Sequence, residues 1–396
     1  MKRTSTFPVP AAQTNESLIV NRLRQIRMDR GISQGEMAVK VGMTRQALYA
    51  MEMNQYLPGT ALALKLAQVL GCAVEDLFQL EDDQDIIQAT YVGEAGHGSF
   101  QTRVKLGLIG RQVIARPIAE LGSTLNYMVP ADGLVVGKAP KVKGQPMVRD
   151  RVCVKMLRSQ HAVESQIIIG GCDPAIFLVD DHLRHGVSGS SVVAWTMGSV
   201  SALRALNRGE IHVAGIHMVD HASGAFNVPF LRKYVKGLSV TVVRFAAWQE
   251  GILTRRGNPK RIRGVEDFAR ADVRIVNREK GSGARLLLDH LLASQRIPAT
   301  GVRGYDVVCS SQIRLGQAIA EGRGDAGIGA QAVAHLHDLH FIPMQDERYD
   351  LVIPSSYLHS HPAMRQFLDA LVTKRFRQEI DALGGYDTKE IGNIIQ

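Results

Sequence analysis

No apolar run in the 396-residue chain approaches the roughly 20 residues that a bilayer-spanning helix needs, so no membrane span is expected. The opening MKRTSTFPVPAAQTNES has basic residues but no apolar core of the signal-peptide kind, and residues 1–16 read as a disordered lead-in. Cysteine is scarce. Cys72, Cys153, Cys172 and Cys309 are scattered with no C-x-x-C pair, which argues against a disulfide framework or zinc site and makes the cytoplasm the expected compartment. The nucleotide loop G-x-x-x-x-G-K-[ST] is missing, and no nucleophile–base pair supports catalysis.

What is there is an ordinary globular composition, 45% hydrophobic and 21% charged, long enough for two or three domains. The formal net charge of +9 permits a polyanionic partner without requiring one. One stretch points to an anion directly: Val273 to Val276 read as a strand, Gly281-Ser282-Gly283 as a turn, and a helix comes next.

Residues 18–78 carry helical periodicity. Leu18, Arg22 and Ile26 mark a first amphipathic helix, ended by Gly31. Ser33 caps a second, Gln34 to Val41, with Glu36 completing a capping box and Gly42 stopping it. Thr44 caps a third, TRQALYAMEMN, and Pro58 and Thr60 open a fourth, ALALKLAQVLG, ended by Gly71. Two short helices around a tight Gly turn make a helix-turn-helix. The stretch SQGEMAVKVGMTRQALYAMEMNQYLPGTALALKLAQVLGCAVEDLF resembles the Cro-like (XRE) phage-repressor class of DNA-binding domains, here residues 17–80. That resemblance implies a recognition helix in the major groove, with Thr44, Arg45, Gln46 and Tyr49 facing DNA and Gln34 on the DNA backbone. Arg and Gln suit guanine and adenine edges. Ala38, Val41, Leu48 and Leu66 fit the core instead, and Asn54-Gln55 stands where a Gly often ends the recognition helix. The implied partner is double-stranded operator DNA, bound by a homodimer on two half-sites.

Residues 81–164 read as a linker, from LEDDQD through YVGEAGHGSF, and a small β-rich connecting element. Lys138, Lys141 and Lys143 read as a solvated strand face, with DNA backbone as the other reading.

From Ser165 strands alternate with helices, which implies a mostly parallel sheet in an α/β fold. SQIIIGG, SSVVAWTM, IHVAGIHMVD and VTVVRFA are the strands. DPAIFLVDDHLRHG is a helix capped by Asp173, and GSVSALRALNRG one capped by Ser199. The order resumes after residue 270 with RIVN, a helix from Gly283, YDVVCSS, a helix from Ser311 and DAGIGA. ALNRGEIHVAGIH and AIAEGRGDAGIGA echo one another faintly, as two similar lobes would.

IIIGGCDPAI, TMGSVSALRALNRGEIHVAGIH, FAAWQEGILTRRGNP, NREKGSGARLLLDHLL, GRGDAGIG and ERYDLVIP are similar to cytoplasmic relatives of periplasmic solute-binding proteins. They are most similar to the molybdate-binding-type domain fused to helix-turn-helix regulators. The fold class implied is therefore multidomain: an all-α helix-turn-helix domain and a two-lobed α/β periplasmic-binding-protein-like (type 2) domain over 165–396. Lobe 1 is expected at about 165–248 and 347–396, lobe 2 at about 249–346. The ligand sits between the lobes, and no catalytic role is implied.

Four helix starts face such a cleft: Gly171-Cys172-Asp173, Gly198-Ser199, Gly281-Ser282-Gly283 and Ser310-Ser311. Helix N-termini offer unpaired N–H groups and partial positive charge. With Tyr349 closing the site, these neutral donors suit molybdate or tungstate; the alternative is a molybdenum-cofactor-related or other small organic anion. No cofactor is otherwise expected. Each serine also serves as a plain N-cap, and Tyr349 as a packed hinge residue. Asp173 repels an anion, so it caps its helix or meets a donor on an organic ligand. Arg278 and Arg285 flank the Gly-Ser-Gly turn, as anion partners or surface groups. HLHDLH at 335–340 reads as surface histidines rather than a metal site, and His217 and Asp220 have no third partner in sequence. The expectation is a ligand-responsive regulator. Its rivals are an enzyme on a pterin-like substrate targeted to DNA and a transport-associated binding protein.

Overall fold

The computed structural model describes residues 19–53, 55–80, 86–93, 102–121, 123–139, 150–184 and 190–396. The lead-in, Leu18, Asn54, Lys141, Lys143 and most of the two linker stretches lie outside them. The chain divides into two compact units, one ending at Ile87 and one running from Gln88 to Gln396.

The smaller unit holds β1 (Ile19–Asn21), α1 (Leu23–Asp29), α2 (Gln34–Val41), α3 (Arg45–Glu52), α4 (Thr60–Leu70), α5 (Val74–Leu77) and β2 (Phe78–Leu80). Its first residues correct the expectation of a helix from Leu18. Ile19–Asn21 pairs antiparallel with Phe78–Leu80. Asn21 Oδ1 accepts from the Leu23 amide at 3.0 Å, turning the chain into α1. Ser33 and Thr44 accept from the Glu36 and Ala47 amides as N-caps. Gly42 and Gly71 end α2 and α4 with φ of 75° and 61°, which a residue with a Cβ rarely adopts. Leu23, Met37, Ala38, Val41, Leu48, Met51, Leu66 and Leu70 form the core between the helices.

In the larger unit, β3 (Ile86–Tyr91), β4 (Thr102–Ile109), β5 (Gln112–Pro117), β6 (Gly133–Lys138) and β7 (Arg151–Met156) close into a barrel, with α6 (Ser123–Met128) between β5 and β6. Closure leaves none of these strands with a bare edge. After α7 (Gln160–Glu164) the chain enters β8 (Gln166–Gly171), and a buried polar node fastens the barrel to the start of that strand. Lys105 Nζ meets Asp132 Oδ1 at 2.5 Å, and Gln166 Nε2 donates to Asp132 Oδ2 at 2.7 Å. Lys138 is exposed at the end of β6.

Lobe 1 begins with β8 and adds α8 (Leu178–Arg184), β9 (Ser191–Thr196), α9 (Ser199–Asn207), β10 (Val213–Ile216), the hairpin β11 (Val219–Asp220) and β12 (Ala225–Phe226), and α10 (Val228–Tyr234). A 15-residue strand, β13 (Val240–Thr254), leads into lobe 2. Lobe 2 holds β14 (Asn277–Arg278), α11 (Gly283–Ser294), β15 (Val308–Cys309), α12 (Gln312–Ala320), β16 (Ala326–Ala330) and α13 (Gln331–Leu336). A second 15-residue strand, β17 (His340–Pro354), returns to lobe 1, which ends with α14 (Tyr357–Ser360), α15 (Met364–Leu371), α16 (Lys374–Ala382) and β18 (Tyr386–Asp387).

Among the described residues the main sheet has the order β16-β13-β17-β10-β8-β9, with β18 also on β13. It corrects the mostly parallel expectation: β8, β9 and β10 pair in parallel, but β13, β16 and β17 are antiparallel. The two long strands cross from one lobe to the other and must run in opposite directions. The expected lobe boundaries at 248/249 and 346/347 fall inside them. Both faces of the sheet are covered, so β8 is buried throughout. Ile167 and Ile169 pack with Phe367 and Phe376 on one face, and Ile168 with Leu203 and Leu206 of α9 on the other. No described helix is long and apolar enough to cross a membrane.

Candidate ligand cleft and DNA-facing helix

The cleft centres on His217, just beyond β10. Its ring is 1% exposed. Ser199 fixes its backbone, since Ser199 Oγ accepts from the His217 amide at 3.1 Å and donates to its carbonyl at 3.2 Å. Gly198, not Ser199, is therefore the N-cap of α9. The two crossing strands bring carboxylates to the ring: His217 Nδ1 lies 3.7 Å from Glu250 Oε2 of β13 and 3.6 Å from Glu347 Oε2 of β17. Cys172 faces the ring as well. Burial works against charging His217, but Cys172, Glu347 and Glu250 prevail, and its pKa stands well above the usual 6.5.

The opposing wall is the Gly-Ser-Gly turn of lobe 2. Gly283 lies so close to His217 that a Cβ there would collide with the imidazole. The Val200 amide in the first turn of α9 donates to the Gly281 carbonyl at 3.3 Å. The N-termini of α9 and α11 thus meet, and the lobes are closed. Ser282 caps α11 by accepting from the Arg285 amide at 3.3 Å, and its hydroxyl donates to the Glu279 carbonyl at 2.9 Å.

Tyr349 of β17 is fully buried, and its ring centroid is 5.1 Å from that of Trp248. Its hydroxyl rests against Gly171 and Gly215, where any side chain would strike it, and it has no hydrogen-bond partner. Burial pushes its pKa well up. Asp173 caps the helical turn after β8: Oδ1 accepts from the Ala175 amide at 2.9 Å and from the Tyr386 hydroxyl at 2.9 Å, while Oδ2 has no partner. Burial raises Asp173 to about 6 against both bonds. Glu250 is raised to about 7, first by burial and then by Glu347, although His217 lowers it.

Two arginines flank the turn, with different fates. Arg285 is structural: its Nε bonds Asp289 at 2.9 Å, and its guanidinium lies 4.0 Å over the Tyr305 ring. Arg278 is 1% exposed. Glu279 and the Cys309 carbonyl hold its Nε and Nη2, and Nη1 is left without a partner.

Cys172, Asp173, Ser199, Ser282, Gly283 and Tyr349 therefore gather around one buried centre. Ser310 and Ser311 do not join it: Ser310 is exposed, and Ser311 caps α12 through the Arg314 amide at 3.1 Å. Asp220 serves its own hairpin, bonded to Ser223. Glu250, Glu347 and Trp248 carry no signal in the sequence, because strand alternation marks which residues share a face and not which lobe they reach.

In the smaller unit, Thr44, Arg45, Gln46 and Tyr49 are all exposed at the start and outer face of α3. Gln34 is half-buried and donates to Glu52 Oε2 at 2.8 Å. Glu52 is gripped by Arg27, Nε to Oε1 at 2.5 Å and Nη2 to Oε2 at 3.1 Å. Gln34 thus belongs to a polar network beneath α2 and α3.

Residues 23–77 match the helix-turn-helix family and residues 180–372 the PBP superfamily domain. The uncharacterized protein YvgK of Bacillus subtilis (strain 168) is 29% identical over 251 residues, 63% of this chain and 80% of that protein. An uncharacterized HTH-type transcriptional regulator of Methanocaldococcus jannaschii is 38% identical over 64 residues, 16% of this chain and 97% of the relative. Among solved structures, the sulfate-binding protein SubI from Mycobacterium tuberculosis H37Rv aligns with a TM-score of 0.42 at 15% identity, over 56% of this chain and 86% of that one. The chain belongs to the helix-turn-helix transcriptional regulators, here joined to a PBP-like ligand-binding domain.

Proposed function

We propose that this chain is a one-component regulator that binds operator DNA as a homodimer and senses a small anion between its two lobes. The observation that carries the sensing half is Arg278. A fully buried guanidinium with a free Nη1 is held beside the meeting point of two helix N-termini. An unpaired buried donor of this kind is costly, and an anionic group from a ligand relieves it. Cys172, Asp173, Ser199, Ser282, Gly283 and Tyr349 form the rest of the site.

Within the anions, the lining favours one kind. Asp173 Oδ2, Glu250 Oε1 and Glu347 Oε2 have no hydrogen-bond partner. Molybdate and tungstate offer only acceptor oxygens at neutral pH and would face these groups without answering them. A small organic anion with N–H or O–H groups of its own answers both sets.

DNA recognition rests on the exposed Thr44, Arg45, Gln46 and Tyr49. Ligand and operator affinities are coupled, and the coupling is reciprocal. This reading puts the protein in the cytoplasm. Calorimetry with molybdate, tungstate, sulfate and phosphate, beside operator shifts with and without each, tests it. No heat from the oxyanions points to the organic anion. An operator shift that no ligand alters would sink the sensor reading.

A further inference from the structure

We propose that the effector carries a flat ring with a hydrogen-bond donor on its edge, seated in a mostly apolar chamber that adjoins the cleft at Cys172, Asp173 and Trp248. The inference rests on the reading of the cleft as the effector site and names the class of molecule that fills it.

The chamber has a volume of about 330 Å³ and is walled by both lobes. Trp248 and Tyr386 stand edge to face, with ring centroids 5.9 Å apart and planes at 85°. Val333 of α13 and Leu383 line it with them, as do Cys172 and Asp173, and Gln312 and His335 are its other polar side chains. A tetrahedral oxyanion needs donors on every side. These walls are mostly carbon, and the space is of the size that holds a one- or two-ring organic molecule.

Asp173 gives the chamber its direction. It is 5% exposed. The Ala175 amide and the Tyr386 hydroxyl both hold Oδ1, which fixes the carboxylate and leaves Oδ2 without a partner. A buried acceptor left unpaired destabilises the closed form. A ring N–H or amine satisfies it. Molybdate, tungstate and sulfate cannot, because at neutral pH all their oxygens accept. Trp248 continues the chamber toward the polar centre, since its Nε1 donates to Glu250 Oε2 at 3.2 Å and its ring lies 5.3 Å from that of His217. Closure over such a ligand buries its ring between aromatic faces and caps its edge with Asp173.

Calorimetry on the full chain tests this with 2-aminobenzimidazole, a ring with edge donors, and 1-methylindole, a ring without them. Molybdate and tungstate serve as acceptor-only anions. Saturable binding of 2-aminobenzimidazole below about 1 mM is expected, with 1-methylindole about tenfold weaker or worse. Two variants read the mechanism. Leu383→Trp fills the chamber, and because Leu383 is 45% exposed the fold can carry the larger ring; it should abolish binding of both rings. Asp173→Asn turns the free acceptor into a donor; it should weaken 2-aminobenzimidazole about tenfold and leave 1-methylindole unchanged. Absence of ring binding, equal affinity for the two rings, or indifference to both variants overturns the proposal. If molybdate or tungstate binds and neither ring does, this inference falls and the sensor reading stands. If none of the four binds, this inference falls, and the sensor reading falls with it when sulfate and phosphate also leave the operator shift unaltered.

Discussion

His221, in the β11–β12 hairpin of lobe 1, lies flat on His290 of α11 in lobe 2, with ring centroids 3.5 Å apart and planes 4° from parallel. Two imidazoles stack this way only while at least one is neutral. Burial, and then His290, hold His221 below the usual 6.5, while Glu347 and Asp220 pull the other way. A lowered histidine pKa favours the neutral ring in the closed state, so this contribution is complete above 6.5 and is lost as pH falls below it. Hydrogen exchange at the Val200 amide, which bonds Gly281 across the lobes, should quicken at acidic pH after correction for intrinsic rates. His221→Phe should keep the stack and remove that dependence.

The centre of the cleft responds with the opposite sign. Glu250 and Asp173 are raised to about 7 and about 6. A raised carboxyl pKa contributes stability below its ordinary range, and this is lost as pH climbs through the raised value. The ligand-binding unit should therefore melt lower at about pH 8 than at about pH 6. Glu250→Gln keeps an acceptor for Trp248 and never ionises. It should flatten the slope and raise the melting temperature at about pH 8 by a few degrees, on the scale of about 2–4 °C per kcal/mol for a domain of this size.

The pair beneath the DNA-facing helix is structural. Arg27 and Glu52 are 7% and 9% exposed and bonded at two points. Glu52→Ala leaves a buried guanidinium unpaired, a loss of about 3–5 kcal/mol. Chemical denaturation of the helix-turn-helix unit should show most of its stability gone.

Arg45 and Gln46 are exposed and outside that network. The double change Arg45→Ala with Gln46→Ala should abolish the sequence-specific operator shift and leave melting and ligand binding unchanged. A retained specific shift would place recognition elsewhere.

Ser282 already uses its hydroxyl twice, toward the Arg285 amide and the Glu279 carbonyl. Ser282→Ala should cost about 1 kcal/mol of stability as a lost cap. Ligand affinity should change by less than the stability does; a larger drop in titration would show that the hydroxyl touches the effector.

The helix-turn-helix was legible because caps, Gly stops and apolar spacing are all local: Ser33, Gly42, Thr44 and Gly71 sit where the sequence put them. The lobes were legible from the alternation of strands and helices. The barrel was not, because its closure depends on which strands pair, and β3 pairs with β5 before β5 pairs with β4. Nor was the chemistry of the cleft. Cys172, Asp173, Ser199 and Ser282 announce themselves at helix starts. Glu250 and Glu347 lie about a hundred residues apart on strands whose antiparallel register alone brings them to His217. Four helix starts suggested a purely donating cleft, and burial of these carboxylates makes it mixed.

The two crossing strands end on a single register pair, Thr254 opposite His340. Everything between, residues 255–339, leaves lobe 1 and returns to it at neighbouring positions. Half of the cleft wall, including Arg278, the Gly-Ser-Gly turn and Val333, is thus one uninterrupted insert on a hairpin stem. Such an insert is exchangeable between relatives without rethreading lobe 1. His217, Asp173 and the stem carboxylates would stay while the facing wall, and with it the preferred effector, changed as a cassette.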